Sequence, residues 1–543
     1  MPYLSYDFLV VLTELFFRLF LNNNFGQMLY TASIIGATAL AYWMNTSTKL
    51  VSFGRFSVQA EGGSSDTTKN WIGAGSGLGS LVFFFSMGAT LFSGYSVSGI
   101  ANEAYATGFL VTRWIVAGVT IYACFMLLAP RLHALGKSHG YLSVIEFIFD
   151  RYAFNSSHPL WAHTLRMLSL GCLQLPVFCY LISQFSSAGI ETARYTQNEI
   201  SSLAGVLIAA ITVLFLDFFG GFRAVCYTDV VQGIALMWGC FVFFIIQRTN
   251  FGGLPKVNDY VISPNYLNVT KAGYSFFNNV PAEQGSNSVT TYASFVIQTC
   301  IAATMFPHLV QRLFVAKDAK VLKMGLSGMN VCFFFIQLSS MITGWVAVGQ
   351  FLGKPRTEGV FASVCVLVRD SGSGGQFASA LLLSAALCAM MSTADSALIA
   401  FSTMWLKDFY LPYVNPKASY REQMMFVKAA SLFGWGLGLF LTLMSIFAEP
   451  APWNLSNLFT LQSVTPIHVA PSVWFGLHWR GLRAEPVVLG QLAGLAVTFG
   501  FLFNPNLNVK YGTRVEETKE GAPTHAPRAS RNSTNESTFF DCS

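Results

Sequence analysis

Charge is scarce in this chain of 543 residues. Charged side chains make up 11% of the sequence and the formal net charge is only +6. That fraction is about half of what an average soluble domain carries. Mean hydropathy is +0.50, and apolar runs long enough to cross about 30 Å of hydrocarbon recur along the chain. The composition predicts an all-α polytopic protein embedded in a lipid bilayer.

Several signatures of enzymes and of other binding proteins are also missing. The ten cysteines stand singly, with no CxxC pair, so the sequence indicates neither a zinc site nor a disulfide framework. No GxxxxGKS loop occurs, and His and acidic residues do not cluster at metal-ligand spacing. The modest net charge gives no sign of a nucleic-acid partner. We therefore expect a protein that is not an enzyme.

Apolar runs predict twelve membrane spans. They cover 25–45, 77–101, 113–130, 164–187, 201–217, 226–246, 290–311, 324–352, 376–404, 425–447, 455–477 and 486–503. The predicted organisation is an apolar segment (1–24), a first span with an inner loop (25–76), a ten-span core (77–477), an additional span (478–503) and a disordered polar tail (504–543). The segment 1–24 is either a thirteenth span or an interfacial helix.

The distribution of Lys and Arg predicts the orientation. If span 25–45 enters from outside, the inner loops hold a clear excess of positive charge, as the positive-inside rule requires. Arg312, Lys317, Lys320 and Lys323 together fall in one of these inner loops.

One polar motif interrupts the apolar run 376–404. In Ala389-Met-Met-Ser-Thr-Ala-Asp-Ser396, a helix places Ala389, Ser392, Thr393 and Ser396 on one face, with Asp395 on its flank. Hydroxyl and carboxylate oxygens suit a hard cation. A carboxylate in a span is costly unless it is paired or meets water. The motif predicts either a cation site or a helix–helix contact through small side chains.

Two further segments carry glycine and polar residues near or inside spans. Gly220-Gly221 allows a tight turn and is followed by Asp229 about one turn into the next predicted span. Asp229 is a candidate cation ligand or an acid that complements a helix N-terminus. In the run from Ser86 to Tyr95, Gly88 and Gly94 indicate an interrupted helix, whose freed carbonyls could bind a cation, or close helix packing.

Together these segments resemble the sodium:solute symporter family, whose members carry glucose, proline, pantothenate, choline and sialic acid. The resemblance extends from about residue 30 to 505. The motifs that carry it are Trp71-Ile-Gly-Ala-Gly75, Gly-Gly-Phe-Arg-Ala (220–224) with Tyr227-Thr-Asp229, Phe306-Pro-His-Leu-Val-Gln-Arg312, Met391-Ser-Thr-Ala-Asp-Ser396, and Gln462 with Pro471 ahead of Trp479-Arg480.

The resemblance implies a core of five plus five spans in two inverted repeats, with broken helices and with ligands near the membrane centre. It also implies a sodium site. Its ligands would be the backbone oxygens of Ala89, Phe92 and Ala389 and the hydroxyls of Ser392 and Thr393. The helical face shared by the last three agrees with this assignment.

A second cation site, which some members possess, would use Asp229 and Ser396. Asp395 stands where other members place a serine, so this site would carry an extra negative charge. Tighter cation binding, a proton-coupled role and a changed stoichiometry all remain open. Leu91 replaces an aspartate of the proline carriers, so the coupling details of that subfamily do not carry over.

The resemblance also suggests residues that contact the solute. The candidates are Ser93, Gly94, Tyr95, Tyr180, Gln298, Thr299 and Gln462. Tyr180 matches a tyrosine of proline carriers and Gln462 a glutamine of sugar carriers, while core packing and interhelical hydrogen bonds are the alternative roles. We expect Arg166 to snorkel toward the inner surface and His308, at a span end, to be solvated or structural. The solute would be small and neutral, zwitterionic or cationic.

The function implied is sodium-coupled symport of a small organic solute by alternating access, with Na+ as the coupling ion. The plasma membrane is the family default. Proton-coupled symport by the same fold and a channel-like or uncoupled uniporter are the alternatives.

Overall fold

The computed structural model describes residues 77–261, 285–351, 359–447 and 455–503, which are almost entirely helical. The predicted segments 1–24, 25–45 and 504–543 lie outside these described residues. The helices are α1 Ser80–Leu91, α2 Tyr95–Thr107, α3 Arg113–His139, α4 Val144–Ala153, α5 Pro159–Tyr195, α6 Ser202–Phe218, α7 Gly220–Asn250, α8 Gly253–Val261, α9 Gly285–Ala303, α10 Pro307–Val315, α11 Ala319–Phe351, α12 Val360–Arg369, α13 Ser373–Met404, α14 Tyr420–Phe447, α15 Leu455–His478 and α16 Ala484–Phe503.

Many of these helices can cross a membrane. Within the described residues, six are long and apolar enough, and two bent helix pairs raise the number to eight. Shorter apolar helices cover Ser202–Phe218, Val360–Arg369 and Ala484–Gly500. The predicted all-α, polytopic membrane class is therefore confirmed, and the protein is an integral multi-pass membrane protein.

Two spans are bent at a break, and each of them is the first span of one half of the core. α1 and α2 bend by 60°, and the Tyr292–Ala303 part of α9 bends by 49° against α10. The first break lies in the run predicted to be interrupted. The second does not match the prediction, which has one continuous span over 290–311. Here Pro307 opens α10 at a position where its missing N–H costs nothing.

The broken helices divide the core into two repeats. The pair α1/α2 is followed by α3, α5, α6 and α7, and the pair α9/α10 by α11, α13, α14 and α15. Each repeat thus opens with a bent helix and continues with four further helices. Because five spans are an odd number, the second repeat starts on the opposite side of the membrane and is inverted relative to the first. This is the predicted five-plus-five arrangement.

The glycines near the first break do not themselves form it. α1 ends because Phe92 is extended (φ −81°, ψ 105°), whereas Gly94 keeps helical angles. A Cβ on Gly88 would lie 2.4 Å from Met329 Sδ, and one on Gly94 would lie 3.0 Å from Gln184 Oε1. These glycines therefore serve close packing around the break.

The predicted turn at Gly220-Gly221 is confirmed. Gly221 has φ 67° and ψ 172° and separates α6 from α7. With the kink at Gly221, the helical part of α7 begins directly after this glycine rather than near residue 226. Asp229 consequently lies deeper in its helix than the sequence suggests.

Helix α13 is at the centre of the packing. It contacts α5, α6, α7 and α14 as well as α1 and α10. Of the 18-residue apolar segment within Gly374–Val414, 78% is buried inside the protein, whereas the corresponding share for Tyr420–Phe447 is 22%. The polar motif of α13 is therefore enclosed by protein, whereas much of α14 is available to lipid.

Candidate functional site

The polar face of α13 meets the first helix break. Ser392 Oγ donates a hydrogen bond to the carbonyl of Ala89 at 2.7 Å and lies 3.0 Å from the carbonyl of Ala389. Thr393 Oγ1 lies 3.0 Å from the carbonyl oxygens of both Phe92 and Ala389. All five oxygens predicted from the family resemblance therefore come together.

The end of α1 explains why these carbonyls are available. The last turn of a helix has carbonyl groups without an intrahelical partner, and α1 stops at Leu91. Ser392 and Thr393 are fully buried, so no bulk water competes for these oxygens. Neutral carbonyl and hydroxyl oxygens at a half-helix end are a suitable ligand set for a weakly bound monovalent cation.

A buried arginine lies in the second predicted cation site. Arg312 Nη2 forms an ion pair with Asp229 Oδ2 at 2.7 Å and donates to Ser396 Oγ at 2.7 Å. The guanidinium also donates to Ser86 Oγ at 2.9 Å and to the carbonyl of His308 at 2.9 Å. Its side chain is completely buried. Placing Arg312 in an inner loop was wrong, because α10 continues the bent span and carries this residue into the protein.

Asp395 completes this cluster with an uncompensated carboxylate. The residue is fully buried, and its Oδ1 is 3.4 Å from Ser396 Oγ. Asp395 Oδ2 and Asp229 Oδ1 receive no hydrogen bond from any described residue. Asp229 is thus paired with Arg312, whereas Asp395 forms no ion pair among the described residues, so a proton or a cation would be needed to neutralise its charge.

The two clusters are joined through one turn of α13. Ser396 Oγ donates to the carbonyl of Ser392 at 2.6 Å and lies 3.2 Å from Thr90 Oγ1. Thr393 Oγ1 is 3.2 Å from the carbonyl of Thr90. Both clusters therefore contact the end of α1.

Beyond the break, the start of α2 is held by side chains. The N–H of Gly94 donates to Gln184 Oε1 at 2.5 Å. Ser93 and Ser96 exchange hydrogen bonds between the backbone N–H of each and the hydroxyl of the other, at 3.3 and 3.4 Å. Gln184 is not among the predicted site residues, although it lies one helical turn beyond Tyr180 on the same face of α5.

Aromatic rings cover one side of this region. The ring of Tyr95 lies 5.0 Å from that of Phe459 and 5.1 Å from that of Trp114. The Tyr95 hydroxyl and the Trp114 indole N–H both donate to Glu103 Oε2, at 3.0 and 2.9 Å. Gln462, one turn after Phe459 on α15, is buried. These contacts place the helices of Tyr95 and Gln462 side by side.

The second break faces Tyr180. The Tyr180 ring lies 5.3 Å from that of Phe306 and 4.8 Å from that of His308. His308 has no exposed surface, and neither ring nitrogen has a hydrogen-bond partner among the described residues. A solvated His308 at a span end is therefore excluded, because α10 turns back into the protein after the break.

The remaining predicted residues lie apart from these contacts. Gln298 and Thr299 are on α9, more than one turn before the break, where Thr299 is buried and Gln298 half-buried. Arg166 does not snorkel. It is buried and forms an ion pair with Asp408 at 3.3 Å, since the π-helical extension of α13, Trp405–Val414, brings that carboxylate alongside α5.

Comparisons with known proteins agree with this architecture. The sequence profile of the sodium:solute symporter family matches residues 71–494. The chain is 28% identical to the osmoregulated proline transporter OpuE of Bacillus subtilis over 439 residues, which covers 78% of this chain and 81% of that protein. It is 26% identical to the sodium/pantothenate symporter of Haemophilus influenzae over 403 residues, with coverages of 73% and 76%.

A solved structure shows the same fold. A Na+-coupled sialic acid symporter, captured substrate-bound and outward-open, matches with a TM-score of 0.67 at 16% identity over 87% of this chain and 92% of that chain. The residues matched by the family profile include both helix breaks and the polar face of α13. This chain belongs to the sodium:solute symporter family.

Proposed function

We propose that this protein is a sodium-coupled symporter that moves a small organic solute across the plasma membrane by alternating access. The observation that carries the proposal is the meeting of five oxygens between α1 and α13. Ser392 Oγ and Thr393 Oγ1 reach the carbonyls at the end of α1 across the break. Sodium bound by these atoms would tie the two helices together.

The same geometry supports coupling between ion and solute. Only two residues, Ser93 and Gly94, separate the proposed ligand Phe92 from Tyr95 at the start of α2. Fixing the end of α1 therefore fixes the orientation of α2. If sodium tightens solute binding, the solute must tighten sodium binding by the same factor.

The membrane potential supplies part of the driving force. Each positive charge that moves inward gains about 2.3 kcal/mol per 100 mV. With Arg312 already paired to Asp229, we propose one sodium ion per transport cycle at the site between α1 and α13. The named relatives include a transporter of proline, which is a zwitterion, and this supports a small zwitterionic solute here.

Proton coupling is a second candidate, and one observation favours it. Asp395 Oδ2 is buried without a hydrogen-bond partner among the described residues, and a proton would neutralise this carboxylate where a free charge is costly. In that case transport would follow a proton gradient, and the oxygens between α1 and α13 would serve helix packing.

Uptake into proteoliposomes tests the proposal. A panel of proline, choline, pantothenate, glucose and urea is offered with an inward sodium gradient, with a proton gradient alone and with neither. We expect one solute to accumulate only with sodium. Accumulation that requires a proton gradient alone would instead assign the coupling to Asp395 and Asp229.

A double variant tests the sodium site itself. Ser392→Ala with Thr393→Ala removes two of the five oxygens, and we expect sodium-dependent uptake to be lost while the protein still reaches the membrane. The matched control is Ser402→Ala with Thr403→Ala, another buried Ser-Thr pair on α13. Undiminished sodium dependence in the first variant would refute the site assignment.

A further inference from the structure

Helix α11 carries a buried side-chain amide without partners. Gln337 has no exposed surface, and neither its Oε1 nor its Nε2 has a hydrogen-bond partner among the described residues. Buried polar atoms are normally hydrogen-bonded, and leaving them unsatisfied destabilises the folded protein. A leucine would fill this position without that cost, so the amide requires an explanation.

Contacts on either side fix the level of Gln337 in the protein. The ring of Phe333 stacks on that of Phe92, with 5.5 Å between the ring centroids, and a Cβ on Gly344 would lie 2.3 Å from the carbonyl oxygen of Ala101. Gln337 lies one turn after Phe333 and two turns before Gly344, so all three share one face of α11. Gln337 is therefore placed about 6 Å along the helix beyond the Phe92 contact, level with the first turn of α2.

The first turn of α2 directly follows the first helix break. It is π-helical from Tyr95 to Gly99, and such wide turns occur often at functional sites. Both α5 and α11 contact this turn. Gln184 on α5 accepts the N–H of Gly94, so its oxygen is already used, whereas Gln337 on α11 has both amide atoms unpartnered among the described residues.

The chemistry of the amide selects its partner. A carboxamide has an acceptor oxygen and a donor nitrogen. A metal cation or an ammonium group would satisfy the oxygen and leave the nitrogen unpartnered, and a carboxylate would do the reverse. A hydroxyl group or a second amide both donates and accepts hydrogen bonds, so it can satisfy both atoms of Gln337 at once.

Phe92 connects this position to the proposed sodium site. Its carbonyl oxygen accepts a hydrogen bond from Thr393 Oγ1 at 3.0 Å, while its ring stacks on Phe333. Sodium bound at this carbonyl would hold the ring of Phe92 in place. The ring contact would then position the face of α11 on which Gln337 lies.

We propose that the amide of Gln337 binds a hydroxyl or carboxamide group of the transported solute. This inference rests on the proposed function and names the class of solute, a small molecule that bears such a group in addition to any charged ones. A solute without this group would leave the amide buried and unsatisfied. Sites built to hydrogen-bond a polar group reject analogues that lack it for this reason.

Thermal unfolding of the purified protein with matched ligand pairs tests the inference. The pairs are hydroxyproline and proline, serine and alanine, carnitine and butyrobetaine, and glutamine and norvaline, each in sodium and in potassium chloride. Within each pair only the first member has the additional hydroxyl or amide group. We expect at least one first member to raise the unfolding midpoint in sodium. Its apparent affinity should be roughly tenfold higher than that of its partner, the range for two neutral hydrogen bonds.

Variants at Gln337 show whether this amide is responsible. Gln337→Leu should abolish the preference within the pair, and it should raise the unfolding midpoint of the ligand-free protein because it removes two unsatisfied polar atoms. Gln337→Asn, which keeps a shorter amide, should retain part of the preference. The matched control is Gln174→Leu. Both amide atoms of Gln174 are likewise unpartnered among the described residues, but it lies more than two turns before Gln184 on α5, so the preference should be unchanged.

Several results would overturn the inference. These are the absence of any pair in which the first member protects better, an unchanged preference in Gln337→Leu, and a lower unfolding midpoint of ligand-free Gln337→Leu. The last result would show that the amide already has a partner in the folded protein. Stabilisation by sodium, or sodium-dependent protection by any probe, would leave the proposed function standing in each case. If sodium neither stabilises the protein nor promotes protection by any probe, the proposed function fails as well.

Discussion

Replacement of Arg312 by methionine should be strongly destabilising. The guanidinium makes hydrogen bonds to Asp229, Ser86, Ser396 and the carbonyl of His308, all between 2.7 and 2.9 Å. Methionine fills a similar volume but leaves the carboxylate of Asp229 buried without its countercharge. Breaking a buried pair from one side typically costs about 3–5 kcal/mol of unfolding free energy.

A double-mutant cycle isolates the ion pair within that loss. Asp229→Asn removes the charge that Arg312→Met leaves unpaired, so the double variant should be more stable than the two single losses predict. We expect a coupling free energy of roughly 1–3 kcal/mol, the usual range for groups in direct contact.

The assay is thermal unfolding in detergent with intrinsic tryptophan fluorescence, with Arg421→Met, at an exposed arginine, as the control. If the stability loss of the double variant equals the sum of the two single losses within about 0.5 kcal/mol, Arg312 and Asp229 behave as independent sites, and the predicted ion pair is refuted. The same outcome would remove the reason for assigning only one sodium ion to the transport cycle.

Two further substitutions test the packing that supports the site. A Cβ on Gly344 would lie 2.3 Å from a backbone oxygen of α2, so Gly344→Ala should lower the free energy of unfolding by about 1–3 kcal/mol. A Cβ on the control residue Gly436 would have no atom within 4 Å, so Gly436→Ala should not destabilise the protein. Equal unfolding midpoints for the two variants would contradict this expectation. Arg166→Leu leaves the fully buried carboxylate of Asp408 without its countercharge, with the neutral hydroxyl of Ser143 still donating to it. Asp408→Asn instead leaves an arginine that retains a carbonyl acceptor. Arg166→Leu should therefore cost roughly 1–3 kcal/mol more, and the reverse order in denaturation measurements would count against a buried ion pair.

Part of the proposed sodium site could be predicted from the sequence. Ala389, Ser392 and Thr393 share a helical face, and that periodicity is local, so a helix of any tertiary placement would present them together. The family resemblance then supplied the partners Ala89 and Phe92, and the structure brings their carbonyls to this face.

The cluster around Arg312 and Asp229 could not be predicted from the sequence. Arg312 follows an apolar run and precedes several lysines, so charge counting places it in a loop. The bend between α9 and α10 reverses that outcome and buries the side chain beside Asp229. A proline at the start of a helix was the only local sign of this bend, and proline is equally common where a helix simply begins. The same bend excludes the solvated role for His308 and leaves the structural one.

The amino-acid sequence alone establishes a helical membrane protein, the extents of most spans and one polar face on α13, because hydropathy and helical periodicity are properties of neighbouring residues. The partners of that face were decided by the tertiary structure. Ser392 and Ala89 are 303 positions apart and Arg312 and Asp229 are 83 apart, and no local pattern specifies which distant helices will meet. Two helix breaks bring these residues together, and the chemistry of the site follows from their meeting.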